Sequence, residues 1–216
     1  MIPGLPDAVN RHLEAVDARQ DVTAVSCAGT GSIHQAIVGR AGMWLPLTWE
    51  LQLRPARSFA WHARTRVAGV LRRRLTEEYR AGRGQIATGS RRLEGDALDR
   101  TEYALLWAWT AALAPATAAR VTGVTWERLD ASTARMLFPH GSETWESTLR
   151  FDPATGLLRR FETKRFELRA GFVRSWAAEL DGYREFDGIV APARVTMAWE
   201  EVPALRLELA EAAVTP

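Results

Sequence analysis

Cysteine, lysine and long apolar runs are all scarce in this chain, and each scarcity removes a class of function. The one cysteine, Cys27, has no partner for an internal disulfide and fits a reducing compartment. Lys164 is the one lysine among 28 Lys and Arg residues, so arginine carries almost all the positive charge. A formal net charge of +2 gives no broad field to draw the protein to nucleic acid or an anionic membrane. No stretch approaches the roughly 20 apolar residues that span a bilayer. The opening segment MIPGLPDAVNRHLEAV lacks the basic start and unbroken apolar core of a secretory signal. The expectation is a cytoplasmic protein without integral membrane association or nucleic-acid partners.

Chemical motifs are equally sparse. His12, His34, His62 and His140 lie in different segments with no metal-ligand spacing among them, so no metal site is expected. The strings A-G-T-G-S and A-G-R-G lack the strand–loop–helix setting and the lysine of a phosphate loop, and G-x-S-x-G is absent. No cofactor is implied, and a small buried thiol suits Cys27 better than a nucleophile.

What is plentiful is tryptophan, nine in 216 residues, set in a strict alternation. From Met43, the residues Leu45, Leu47, Trp49, Leu51 and Leu53 fall on one register, and Thr48, Glu50, Gln52 and Arg54 on the other. After Pro55-Ala56-Arg57 the pattern resumes with Phe59, Trp61, Ala63 and Thr65. Side chains on a strand point alternately to opposite faces, so 43–66 reads as an antiparallel hairpin with one apolar face. Val70 to Tyr79 continues as a strand with Leu71, Arg73, Leu75, Glu77 and Tyr79 on one face. A turn at Ala81–Gly84 leads to a further strand over 85–92. Beyond residue 125, turns such as Asp152–Gly156 separate strands carrying Trp126, Trp145, Trp176 and Trp199 on apolar registers. Two segments break the alternation. Pro6 to Val16 has helical spacing, and so has Asp96 to Ala114, where Asp96 can cap and Pro115 ends the run.

The expected fold is mainly β with two helices: a strongly curved antiparallel sheet of about 11 strands, a partly open barrel wrapped on a central helix. Strands with one apolar face each must curl around something apolar, and helix 96–114 is the available filler. One domain over 1–216 is expected, with an N-terminal helix within 1–20 and a helical insertion over 96–120 packing on the sheet.

Several strings also resemble a bacterial family catalogued as a domain of unknown function, over nearly the whole chain. They are L-P-D-A-V-N-R-H-L, W-L-P-L-T-W-E, F-A-W-H-A-R, E-E-Y-R-A-G-R-G, the helix reaching Ala114-Pro115, G-V-T-W-E-R-L-D, and the late W…D-G-Y-R-E-F-D-G-I-V-A-P. One position departs from the family pattern: five residues before the helix proline, where an acidic residue is expected, stands Thr110. The architecture resembles the half-barrel of lipoprotein-carrier proteins, a shape shared by a violacein-pathway enzyme that works without cofactor.

The candidate site residues follow from inward registers. Trp49, Trp61, Trp109, Trp126, Trp145, Trp176 and Trp199, with Thr110, would line a pocket for a small hydrophobic or aromatic molecule between sheet and helix. The alternative is that these indoles fill the core of a curved sheet. Glu77 and Tyr79 are the candidate catalytic pair, base or anchor and donor, with Arg73 to hold an anion. The alternative there is a structural ion pair or a strand end in water. Whether Arg165 or Lys164 faces inward stays open. Three functions fit this reading: a small-molecule binder, a cofactor-free cyclase or isomerase of secondary metabolism, or an interaction protein using a sheet edge.

Overall fold

A computed structural model describes residues 2–18, 22–34, 43–67, 71–168 and 170–215. After helix α1 (Asp7–Ala15) the chain runs through β1 (Ala24–His34), β2 (Trp44–Arg54), β3 (Ser58–Val67), β4 (Leu71–Arg80), β5 (Arg83–Thr88) and β6 (Arg91–Glu94). Helices α2 (Asp96–Leu113) and α3 (Pro115–Arg120) follow. Then come β7 (Thr125–Arg128), β8 (Thr133–His140), β9 (Glu143–Phe151), β10 (Leu158–Glu167), β11 (Phe172–Asp181), β12 (Arg184–Phe186), β13 (Ile189–Ala191), β14 (Arg194–Trp199) and β15 (Val202–Thr215). The expected strand start at Val70 and the side chain of Leu71 lie outside the described residues.

Thirteen strands make one antiparallel sheet in the order β6-β5-β4-β3-β2-β1-β15-β14-β11-β10-β9-β8-β7, and β12 and β13 pair separately. The sheet is not closed: β6 and β7 are its two edges, and α2–α3 is the connection between them. Twisted strands with one apolar face curl around a filler. That filler is α2, in which every residue from Ala104 to Leu113 is buried. Sequence spacing suggests an amphipathic helix lying on the sheet; the structure gives one enclosed on all sides, as an apolar helix inside a curl must be.

The alternation of β2 is realised without a slip, Leu45, Leu47, Trp49, Leu51 and Leu53 being buried and their neighbours not. The strand with the weakest pattern, β1, lies beside the central strand β15. At Gly29 and Gly31 of β1 a Cβ would fall 2.0 Å and 2.2 Å from the carbonyl oxygens of Glu208 and Arg206, so only glycine admits the approach of β15.

Three expectations need correction. Strand 85–92 is two short strands around a turn with Gly89 at φ 60, and the described residues hold fifteen strands in all where about 11 are expected. Pro115 ends α2 and also begins a third helix, because the missing proline N–H costs nothing at the first helical position. Asp96 does not cap α2: Gly95, at φ 131, holds that position, and the next acidic residue, Asp99, turns its carboxylate to the backbone N–H of Gly84 at 2.7 Å.

Candidate functional site

The site is built where α2 is pinned into the sheet. Ala81 and Gly82 have φ of 52° and 82°, the left-handed pair that a two-residue hairpin turn requires between β4 and β5. Gly84 follows for a different reason: a Cβ there would lie 2.3 Å from the carbonyl oxygen of Leu98, so its absence lets the first turn of α2 touch β5. The string E-E-Y-R-A-G-R-G is thus a hairpin with a seat for a helix. Asp99 closes the seat with Arg83 at 2.9 Å. On the other flank the Thr101 hydroxyl accepts the Phe166 N–H of β10 at 2.9 Å, and the Tyr103 hydroxyl donates to the Pro139 carbonyl at 2.6 Å.

Between these pins, three charges from three elements meet. Nη2 of Arg165 lies 3.2 Å from Oε1 of Glu102 and 3.8 Å from Oε2 of Glu77. β4 and β10 are far apart in strand order, so the contact is made across the inside of the curl, with Glu102 of α2 between the walls. Arg165 sits over the ring of Trp176 at 4.7 Å and near that of Trp199 at 5.8 Å, which suits a weakly hydrated planar cation. Glu102 is 0% exposed and Arg165 5%, whereas the Glu77 side chain keeps 30% of its surface. Burial, and then the charge of Glu77, holds the Glu102 carboxyl well above the usual carboxylate range, with Arg165 opposing. Burial raises Glu77 too, again against Arg165. Two carboxylates and one guanidinium in a dry place favour one proton shared with the acids.

Beside this cluster the sheet parts. The β9–β10 ladder runs from Leu158↔Phe151 to Glu162↔Thr148 and no further, while β8–β9 pairing continues to His140↔Glu143 and β10–β11 to Glu167↔Phe172. Thr163 bridges the start of the gap by donating to the Glu146 carbonyl at 2.9 Å. A cleft of about 530 Å³ opens there, walled by Trp145, Ser147, Thr163, Phe166, Val173 and Trp176, with Thr101 of α2 at its side. Its size is that of a small-molecule site.

The sequence candidates divide accordingly. Trp145 and Trp176 reach the cleft. Trp49, Trp61 and Trp109 are core: Trp49 and Trp109 stack at 6.5 Å, the Trp49 indole donates to Thr30, and the space left beside them is about 10 Å³, no more than one water. The anticipated pocket between Trp49 and the helix is therefore filled. Trp199 flanks Arg165, and Trp126 is half-buried in β7, an edge strand of the sheet. Thr110 is fully buried and acts as a strap, accepting the Ala56 N–H of the β2–β3 turn at 3.0 Å while donating to the Leu106 carbonyl. A carboxylate in its place could accept the same N–H. Arg73 is exposed at the strand end, so the cation beside Glu77 is Arg165. Tyr79 packs on Tyr103 at 5.2 Å, and burial pushes its hydroxyl up to about 12.

Glu102 and Arg165 are the residues that a linear reading misses. Glu102 has a signal: it stands one helical turn from Leu98, Leu105 and Leu106, a charge within an apolar stripe. Arg165 has none, because β10 alternates two mixed registers, and only the structure turns Lys164 out and Arg165 in. Among the described residues no three His, Cys, Asp or Glu side chains are grouped to hold a metal, and no helix is long and apolar enough to cross a membrane.

An open antiparallel half-barrel filled by a helix is a shape shared with solved structures. A LolA superfamily protein from Nitrosomonas europaea matches with TM-score 0.50 at 10% identity, over 97% of this chain and 92% of that one. A DUF1329 family protein from Desulfovibrio piger matches with TM-score 0.51 at 11% identity, over 96% and 90%. At these identities the likeness is one of fold. The chain itself belongs to DUF6544, a family of unknown function whose model matches residues 1–206. No curated protein matches it in sequence.

Proposed function

We propose that the protein binds a small hydrophobic or aromatic molecule in the cleft between β9 and β10. The observation that carries this is the cleft itself, about 530 Å³ with Trp145, Phe166, Val173 and Trp176 in its walls, beside an interior packed tightly enough to leave about 10 Å³ at Trp49. Aromatic and apolar side chains are the usual anchors of a ligand site, and here Arg100, Glu146, Arg160, Glu162, Lys164 and Glu200–Glu201 line the same cleft with charge. The cytoplasm is the proposed compartment, the free thiol of Cys27 being buried with its pKa pushed up to about 12.

The test is titration with N-phenyl-1-naphthylamine, a neutral fluorescent apolar probe, read with intrinsic tryptophan emission. Saturable one-site binding is expected. Ser175→Trp, an exposed cleft-wall position, fills the cleft and should weaken binding at least about tenfold without lowering Tm. Unsaturable binding, or identical affinity in Ser175→Trp, overturns the assignment.

A second reading is favoured by one observation, the two carboxyls Glu77 and Glu102 held above the ordinary range around Arg165 inside the curl. Such a pair supplies acid–base groups for a cofactor-free rearrangement. Glu77 is its proposed base; Tyr79, turned to Tyr103, fits the donor role less well than Glu102. A gene lying within a biosynthetic cluster would favour this reading over simple binding.

A further inference from the structure

Two threonine hydroxyls stand where a strand is missing. Past Glu162↔Thr148 the β9–β10 ladder stops, yet β9 stays paired to β8 as far as Glu143, and β10 to β11 as far as Glu167. Along a strand, alternate residues turn their N–H and C=O to opposite neighbours. The Phe166 N–H donates to the Thr101 hydroxyl at 2.9 Å, and the Glu146 carbonyl accepts from the Thr163 hydroxyl at 2.9 Å. Phe151 of β9 bonds the other way, its N–H donating to the Ser132 carbonyl just before β8 at 2.8 Å. The residues that face the gap are therefore Thr144 and Glu146 on β9, and Lys164 and Phe166 on β10. All four line the cleft. With two groups served by threonines, the rest of their N–H and C=O groups have no ladder partner across it. Backbone groups in a sheet are normally paired, and two open edges that face each other form a slot for a strand.

The two edges can be satisfied together. β9 and β10 run antiparallel, so a strand between them is antiparallel to one and parallel to the other. In an antiparallel pair the bonded residues carry their side chains on the same face. In a parallel pair a residue bonds to those flanking its neighbour, whose side chains are on the opposite face. The gap-facing residues of both walls point their side chains outward, as the exposed Glu146 and Lys164 show. An inserted strand thus turns its outward residues to the antiparallel wall and its inward residues to the parallel one. Its inward side chains meet Trp145, Trp176 and Thr101, and its outward ones lie beside Lys164.

Charge narrows the choice further. Lys164 forms no ion pair among the described residues, whereas every other charged side chain of the cleft wall has one. Arg100 pairs with Glu143 at 3.3 Å and Glu146 with Arg135 at 3.6 Å, Arg160 holds both Glu162 and Glu201, and Arg174 holds Glu200. The unspent cation is the exposed one on the outward side, so it selects a carboxylate there. We propose that the ligand is a short extended peptide that adds a strand between β9 and β10, with apolar side chains inward and a carboxylate beside Lys164. Main-chain bonds then give affinity, and alternate side chains give specificity. This rests on the cleft being the binding site, and names the class of molecule that fills it.

The acetylated, amidated pentapeptide T-F-E-F-T has the required alternation and no tryptophan. Its binding to the full chain is read by tryptophan emission and by displacement of N-phenyl-1-naphthylamine. The same peptide N-methylated at both phenylalanines keeps every side chain but loses the N–H groups that face one wall. It should bind at least about tenfold more weakly. Replacing the peptide's glutamate by lysine should weaken binding about threefold, and Lys164→Glu should reverse that preference. Equal affinity for the plain and N-methylated peptides overturns the strand inference and leaves the cleft as an apolar site. A saturably bound probe that no peptide displaces overturns it in the same way. An unreversed preference in Lys164→Glu overturns the carboxylate contact. Failure of the probe and of every peptide to bind removes the cleft reading and this inference with it.

Discussion

Glu102 and Glu77 look alike in sequence and differ in what surrounds them. Glu102 is enclosed by α2 and both walls of the curl, whereas Glu77 retains 30% of its side-chain surface. Of the two, Glu102 favours the proton and Glu77 the negative charge that balances Arg165, because burial raises Glu102 the further. At pH 7, Glu102→Gln exchanges one neutral group for another and should cost less than about 1 kcal/mol. Glu77→Gln should cost about 1–3 kcal/mol, softened because Glu102 can then ionise. The double variant strands a buried guanidinium and should cost roughly 3–5 kcal/mol. Denaturant unfolding of the three proteins checks the order; a Glu102→Gln costlier than Glu77→Gln would place the charge on Glu102. The alternation of β4 is enough to turn Glu77 inward. It cannot name the partner, since Arg165 lies on a strand that pairs with neither β4 nor its neighbours.

At the scale of elements, the most exacting joint is α2 on the β4–β5 hairpin. Its two glycines do different work, and substitution separates them. Gly82→Ala meets no atom and suffers only its φ of 82°, about 1 kcal/mol. Gly84→Ala places a methyl 2.3 Å from the Leu98 carbonyl and must lift α2, at roughly 3 kcal/mol, the upper end of overpacking costs. Thermal unfolding should show the larger loss at Gly84, the residue with ordinary backbone angles. Hairpins such as this are legible in a linear reading because glycine at a turn has a local cause. The seat for α2 is not, because its cause is a carbonyl on another element.

Across the whole molecule, the backbone of one residue, Leu158 of β10, joins the first helix to the segment after β11. The N–H of Leu158 donates to Nδ1 of His12 at 3.1 Å, and its carbonyl accepts from the Tyr183 hydroxyl at 2.8 Å. This gives a physical role to the L-P-D-A-V-N-R-H-L and D-G-Y-R-E-F strings. Burial lowers His12 from 6.5 to about 4, so the folded protein keeps the ring neutral. The unfolded chain takes up a proton as pH drops below about 6.5 and the folded one does not until about 4, so stability falls between these values. The loss from this group is about 3 kcal/mol. Glu102, raised rather than lowered, acts with opposite sign and gains stability as pH falls. His12→Gln should therefore be less stable than the unaltered protein at pH 7 and should lose less between pH 7 and pH 4. Unfolding free energies at the two pH values check this, and an unchanged pH slope would show that His12 does not carry the effect.

The sequence by itself determined the strands, their apolar faces, the turns and the need for a helix inside a curled sheet. Each of these has a cause within a few residues: side-chain alternation, a positive φ, a helical period. Only the tertiary structure decided which indoles fill the core and which wall a cleft, and which charges meet. Trp49 and Trp145 occupy equivalent apolar registers, and what separates them is the parting of β9 from β10 beyond Glu162↔Thr148. Glu102 and Arg165 stand 63 residues apart. They come together because a sheet with edges at β6 and β7 must curl until its far walls face the same helix, and no local pattern records how far that curl goes.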